Sequence, residues 1–316
     1  MIEVKAVTKR YGPVTAVDDL SFQVLPGRVT GFLGTNGAGK STTMRLILGL
    51  DAPTSGSTTV NGTPFGHHRF PAHEVGALLD ALAVHPGRRA RAHLTSLAQG
   101  NRIGSARVDE VLDLVGLTSV ASRRIGPFSL GMKQRLGIAA AMLGDPEILL
   151  FDEPVTGLDP EGIVWIRGLF HQLAAEGRTI LVSSHLMTEM ALTAQRLIVI
   201  GRGRLIADDT IDNLLAGGTS SVKLRAPRQD ELAALLMSIG GHVSTDDGAL
   251  RVTGLDAAAI GDLAALHCIA LHELAPQHET LEDVFFELTG DQIEYHGATA
   301  DPPAHAAVET LRQASR

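Results

Sequence analysis

The run Gly34-Thr35-Asn36-Gly37-Ala38-Gly39-Lys40-Ser41, followed by Thr42, places three glycines, a lysine and a hydroxyl at G-x-x-x-x-G-K-[ST] spacing. Its chemistry is phosphate binding. Glycines let the backbone curl until successive N–H groups converge on phosphate oxygens, which a Cβ would obstruct. Lys40 then reaches the β- and γ-phosphates of a nucleoside triphosphate such as ATP, and Ser41 offers its hydroxyl to Mg²⁺. A second group, Ile148-Leu149-Leu150-Phe151-Asp152-Glu153, sets two carboxylates after an apolar run. A parallel sheet opens its ligand crevice at such strand ends. Asp152 would hold Mg²⁺ through its water shell, and Glu153 would polarise the attacking water.

These residues need strands and helices in a fixed order to be of use. Residues 29–33 are a short β-leaning run, and residues 41–48 show helical spacing, so strand, loop and helix arrive in phosphate-loop order. Residues 148–151 and 179–182 are continuous apolar or β-branched runs, the pattern of strands buried on both faces of a parallel sheet. Between and around them, 132–143 and 163–174 read as helices, the first stopped by Asp145-Pro146 and the second near Gly177. The alternation predicts an α/β core. After a further strand at 197–200, the Gly217-Gly218-Thr219-Ser220-Ser221 run marks a linker. The expected division is therefore a main domain over 1–218, a small α+β domain over 219–290, and a flexible tail over 291–316. Within the small domain, 221–225 and 250–253 read as strands, and 230–239 and 257–266 as helices.

Composition narrows the function classes. The 316 residues carry a formal net charge of −8, which argues against a dedicated nucleic-acid binder. The one cysteine, Cys268, fits a reducing compartment and reads best as a small buried hydrophobe. The histidines His67, His68, His73, His85 and His93 match no zinc spacing. No segment approaches the roughly 18 consecutive apolar residues that would span a bilayer, so passage through a membrane would need another chain.

The octapeptide Phe128-Ser129-Leu130-Gly131-Met132-Lys133-Gln134-Arg135 resembles the L-S-G-G-Q signature of ABC ATPases in its M-K-Q-R variant. Ser129 and Gly131, opening a helix, make an anion site from free N–H groups and the positive end of the helix dipole. Other residues stand where the family has its marks. Tyr11 matches the aromatic that stacks on adenine, Thr156-Gly157-Leu158-Asp159 resembles the D-loop, and His185 after Ser183-Ser184 resembles the switch histidine. The resemblance covers residues 2 to about 216. It implies a P-loop NTPase of ABC ATPase type that binds ATP and Mg²⁺ and hydrolyses ATP, with Lys40, Glu153 and His185 in catalytic roles. It further implies a homodimer with ATP at the interface, a separate integral-membrane permease, and a place at the cytoplasmic face of the membrane. A soluble ABC protein that remodels ribosomes or DNA, and a nucleotide sensor with little turnover, are the rival readings. The first usually carries two cassettes or long insertions, and the second would not need Lys40, Asp152, Glu153 and His185 together. Two positions depart from the family pattern. Leu130 replaces the signature's first glycine, and Asp80 stands where the family usually carries the Q-loop glutamine. An acidic residue there resembles export-type branches associated with drug or antibiotic efflux.

Overall fold

The computed structural model describes residues 1–216, 221–246, 248–277 and 280–289. The expected linker at 217–220 and the expected tail at 291–316 lie outside the described residues. The chain begins β1 (Ile2–Tyr11), β2 (Val14–Val24), β3 (Arg28–Leu33), α1 (Lys40–Ile47), β4 (Ser55–Val60), α2 (Pro71–Glu74) and β5 (Val75–Leu78). Helices α3 (Ala90–Gly100), α4 (Ser105–Leu114) and α5 (Leu130–Ala141) follow. The order then runs β6 (Ile148–Asp152), α6 (Pro160–Ala175), β7 (Thr179–Ser184), α7 (Met187–Thr193), β8 (Arg196–Gly201), β9 (Arg204–Thr210) and α8 (Ile211–Ala216).

The central sheet has the order β5-β6-β7-β3-β8-β9, parallel except for the last pair. Strands β3, β6, β7 and β8 lack polar alternation because both faces are covered. In β6, Leu149 and Phe151 enter a core shared with α5 and α6, whereas Ile148 and Leu150 enter one shared with α1 and the sheet β2-β1-β4. Strand β7 divides likewise, Ile180 and Val182 to the first core and Leu181 to the second. Phe151 stacks on Phe170 of α6 at 4.9 Å between ring centroids. Burial of one such side chain contributes roughly 1.5–3 kcal/mol.

The consequence for chemistry is positional. Strands β6, β7 and β3 are neighbours, with Asp152 paired to Ser183 and Leu33 to Ser184, so three loops leave the sheet side by side at its carboxyl end.

The C-terminal segment comprises β10 (Ser221–Arg225), α9 (Gln229–Ser238), β11 (His242–Asp246), β12 (Ala249–Thr253), α10 (Ala257–Leu266), β13 (Glu273–Gln277) and α11 (Leu281–Thr289). Its antiparallel sheet, β11-β12-β10-β13, has the β-α-β-β-α-β path of a ferredoxin-like unit. The unit has its own core of Val222, Leu224, Leu232, Leu236, Leu250, Val252 and Ile260, whereas Cys268, expected to be buried, is exposed. Helix α11 behaves differently from the rest of 219–290. It packs on α7, α8 and β9, Leu281 and Phe285 join the main core, and Thr188 Oγ1 donates to Glu282 Oε1 at 2.8 Å.

Candidate active site

A cavity of about 300 Å³ opens where β3 gives way to α1, lined by Ala16, residues 35–42, Leu79, Asp152 and Glu153. The loop can take this course because Gly39 sits at φ 103°, and a Cβ there would lie 2.5 Å from the Ala16 carbonyl oxygen. Gly39 also stands just before the first turn of α1, so unpaired N–H groups and the helix dipole face the cavity. Lys40 is buried, and its ammonium donates to Gly34 O at 2.6 Å and Thr35 O at 3.3 Å. Burial lowers its pKa, and the carboxylates of Glu153 and Asp152 act in the opposite sense.

Ser41 Oγ donates to Asp152 Oδ2 at 2.6 Å, so the two residues expected to hold Mg²⁺ meet at one point. Both supply hard oxygen donors, the set that suits Mg²⁺. The other carboxylate oxygen, Oδ1, accepts from Ser183 Oγ. Ser183 is fully buried and also accepts from the Glu153 N–H at 3.0 Å. Glu153 itself has φ 49°, the left-handed region, which costs an L-residue roughly 1–2 kcal/mol. Its Oε2 lies 2.8 Å from His185 Nδ1, which carries the proton when the carboxylate accepts.

The remaining predicted residues stand farther out. Gly34 lies beneath the loop, where a Cβ would meet Ile200 O at 2.6 Å. Ser129 caps α5, accepting from Met132 N at 3.2 Å, and Gly131 leaves space for Gly157 O, which would be 2.7 Å from a Cβ. Asp159 caps α6, accepting from Gly162 N at 3.0 Å. None of Ser129, Gly131 and Asp159 lines the cavity beside Lys40. Tyr11 also lies off the lining, 46% exposed, with its hydroxyl donating to Asp51 Oδ2 at 3.0 Å and the Lys9 ammonium 4.8 Å from its ring centroid. Asp80 is exposed, and its Oδ1 accepts from Leu82 N at 2.7 Å; the neighbouring Leu79 is the residue that reaches the cavity.

Sequence reasoning assigned no role to Ser183 or Gln134. Gln134, buried in α5, donates from Nε2 to Glu153 O at 3.2 Å. The available signal was a hydroxyl closing an otherwise apolar buried strand, since a polar group buried there needs a partner.

A phosphate-binding loop at a helix start, facing paired carboxylates across adjacent parallel strands, defines a P-loop nucleoside triphosphatase. The ABC transporter family matches residues 17–156, and a domain of unknown function (DUF8746) matches residues 220–282. The chain is 35% identical over 300 residues to the bacitracin transport ATP-binding protein BcrA of Bacillus licheniformis, covering 92% of this chain and 97% of that one. It is 36% identical over 317 residues to the Nod factor export ATP-binding protein I of Paraburkholderia xenovorans, covering 93% and 98%. A solved ATP-binding subunit of an ABC transporter superposes with a TM-score of 0.63 at 27% identity, over 68% of this chain and 92% of that one. The chain therefore belongs to the ATP-binding proteins of ABC transporters, and its activity is ATP hydrolysis.

Proposed function

We propose that this chain powers an export-type transporter, pairing with a second copy across two ATP molecules and with a separate integral-membrane permease at the cytoplasmic face of the membrane. The observation that carries the reading is the cluster of Lys40, Asp152 and Glu153 on one cavity of about 300 Å³, with His185 hydrogen-bonded to Glu153. Lys40 holds the β- and γ-phosphates, Ser41 and Asp152 would hold Mg²⁺, and the ion would supply charge neutralisation at the phosphates. Glu153 accepts a proton from the attacking water, while His185 keeps its carboxylate oriented.

The signature residues support the head-to-tail pairing. Ser129 and Gly131 lie outside the chain's own cavity, as they would if a second copy brings them to a nucleotide. Tyr11 would stack on adenine. No helix among the described residues is long and apolar enough to cross a membrane, and this suits a separate permease. Relatives named for bacitracin transport and Nod factor export support small-molecule export as the task.

Glu153→Gln tests the assignment. It keeps the shape and removes the proton acceptor, so turnover should fall about 10²- to 10⁴-fold while ATP binding remains. The variant should accumulate as a dimer by light scattering with ATP and Mg²⁺ and return to monomer with ADP. Normal turnover would remove the general-base role, and an inactive variant that stays monomeric with ATP would count against the paired mechanism.

A further inference from the structure

Glu153 keeps a backbone conformation that few residues of its type adopt, and four contacts surround it. Its N–H donates to Ser183 Oγ at 3.0 Å, and its carbonyl accepts from Thr156 N at 3.2 Å and from Gln134 Nε2 at 3.2 Å. Its carboxylate meets His185 Nδ1 at 2.8 Å. The Ser183 and Thr156 contacts come from the same sheet end and its turn. Gln134 comes from elsewhere: it lies 4% exposed in α5, one turn past the helix start that carries Ser129 and Gly131. A left-handed non-glycine residue persists only where its surroundings over-determine it.

We propose that Gln134 is a positioning residue for ATP hydrolysis, holding the Glu153 peptide in its left-handed form so that the carboxylate faces the phosphate cavity. The inference rests on the reading of Glu153 as the general base. Gln134 touches neither the cavity nor the loop around Lys40, so it acts on hydrolysis and not on nucleotide affinity. Its helix is itself anchored, since the Arg135 guanidinium stacks 4.5 Å from the Trp165 ring centroid and donates to Val115 O at 3.2 Å. The side chain of Gln134 thus ties the signature helix to the base of the same subunit.

Gln134→Leu is the test, because Thr156 N–H still satisfies the Glu153 carbonyl and no buried acceptor is left unpaired. Single-turnover hydrolysis should slow roughly 10- to 100-fold, the effect of misplacing a reacting group by about 1 Å, with ATP affinity unchanged. In a Glu153→Gln background the same substitution should cause no further loss, since there is no base left to aim. Wild-type turnover in Gln134→Leu, beside an inactive Glu153→Gln, would overturn the inference alone. So would an equal further loss in the double variant, or a fall in ATP affinity that matches the fall in rate. Should Glu153→Gln hydrolyse ATP normally, the general-base reading beneath the inference would be the part that fails.

Discussion

Replacing Ser183 by Ala removes one oxygen from a fully buried position and breaks two hydrogen bonds at once. The bond to Asp152 ends on a charged group, worth about 1.5–3 kcal/mol. The bond from Glu153 leaves a backbone N–H without its acceptor, a penalty of about 1–3 kcal/mol. The two terms share one hydroxyl and do not add in full, so unfolding should become easier by about 2–4 kcal/mol. Catalysis should suffer as well, because Glu153 loses a restraint on its left-handed backbone and Asp152 keeps Ser41 alone of its two hydroxyl donors. A loss of about 1.4 kcal/mol in transition-state stabilisation already means tenfold, so turnover at saturating ATP should fall at least about tenfold. Urea unfolding can be followed through the single tryptophan, Trp165, which sits in α6 within the same part of the fold. A change below about 1 kcal/mol together with wild-type turnover would refute the reasoning.

Lys40→Ala should abolish hydrolysis and greatly weaken ATP binding, measured by calorimetry, because the triphosphate loses its nearest cation. Turnover within a few-fold of wild type would show that the loop had been misread. Phe285→Ala should cost about 3–5 kcal/mol in unfolding free energy while ATP binding survives, since Phe285 is 2% exposed within the main core yet far along the chain from the phosphate loop. A chain ending near residue 220, which loses Leu281 and Phe285 together, should still bind ATP but melt earlier than the full chain. Unchanged melting would show that α11 adds nothing to the ATPase core.

The phosphate loop, the Asp152-Glu153 pair and the strand-helix alternation were legible because each is a local signal. Glycine spacing, apolar runs and stop signals lie within about ten residues of one another, and strands buried on both faces announce themselves by losing alternation. Helix ends were less sharp from apolar spacing alone, which suggested 132–143 for α5, whereas the helix runs Leu130–Ala141 from the Ser129 cap that the signature motif places at a helix opening. The C-terminal pattern suggested two strands, whereas its sheet has four; β13 contains Pro276, which speaks against a strand in sequence but is tolerated at a sheet edge.

What the tertiary structure decided is which distant groups meet. Ser183 reaches Asp152 because β6 and β7 pair in parallel at that register, and Gln134 reaches Glu153 because α5 packs beside the end of β6. The left-handed turn at Glu153, a residue with no local preference for it, follows from those partners and could not be read from residue type. Asp80 shows the same limit: its place in the chain matches the Q-loop position of the family, but only the fold shows its carboxylate accepting the Leu82 amide two residues on. Helix α11 belongs by sequence to the small C-terminal unit and by contact to the main core, where Leu281 and Phe285 fill space beside α7 and α8. Amphipathic spacing tells a helix that it must bury a face, but only three-dimensional packing selects the surface that covers it.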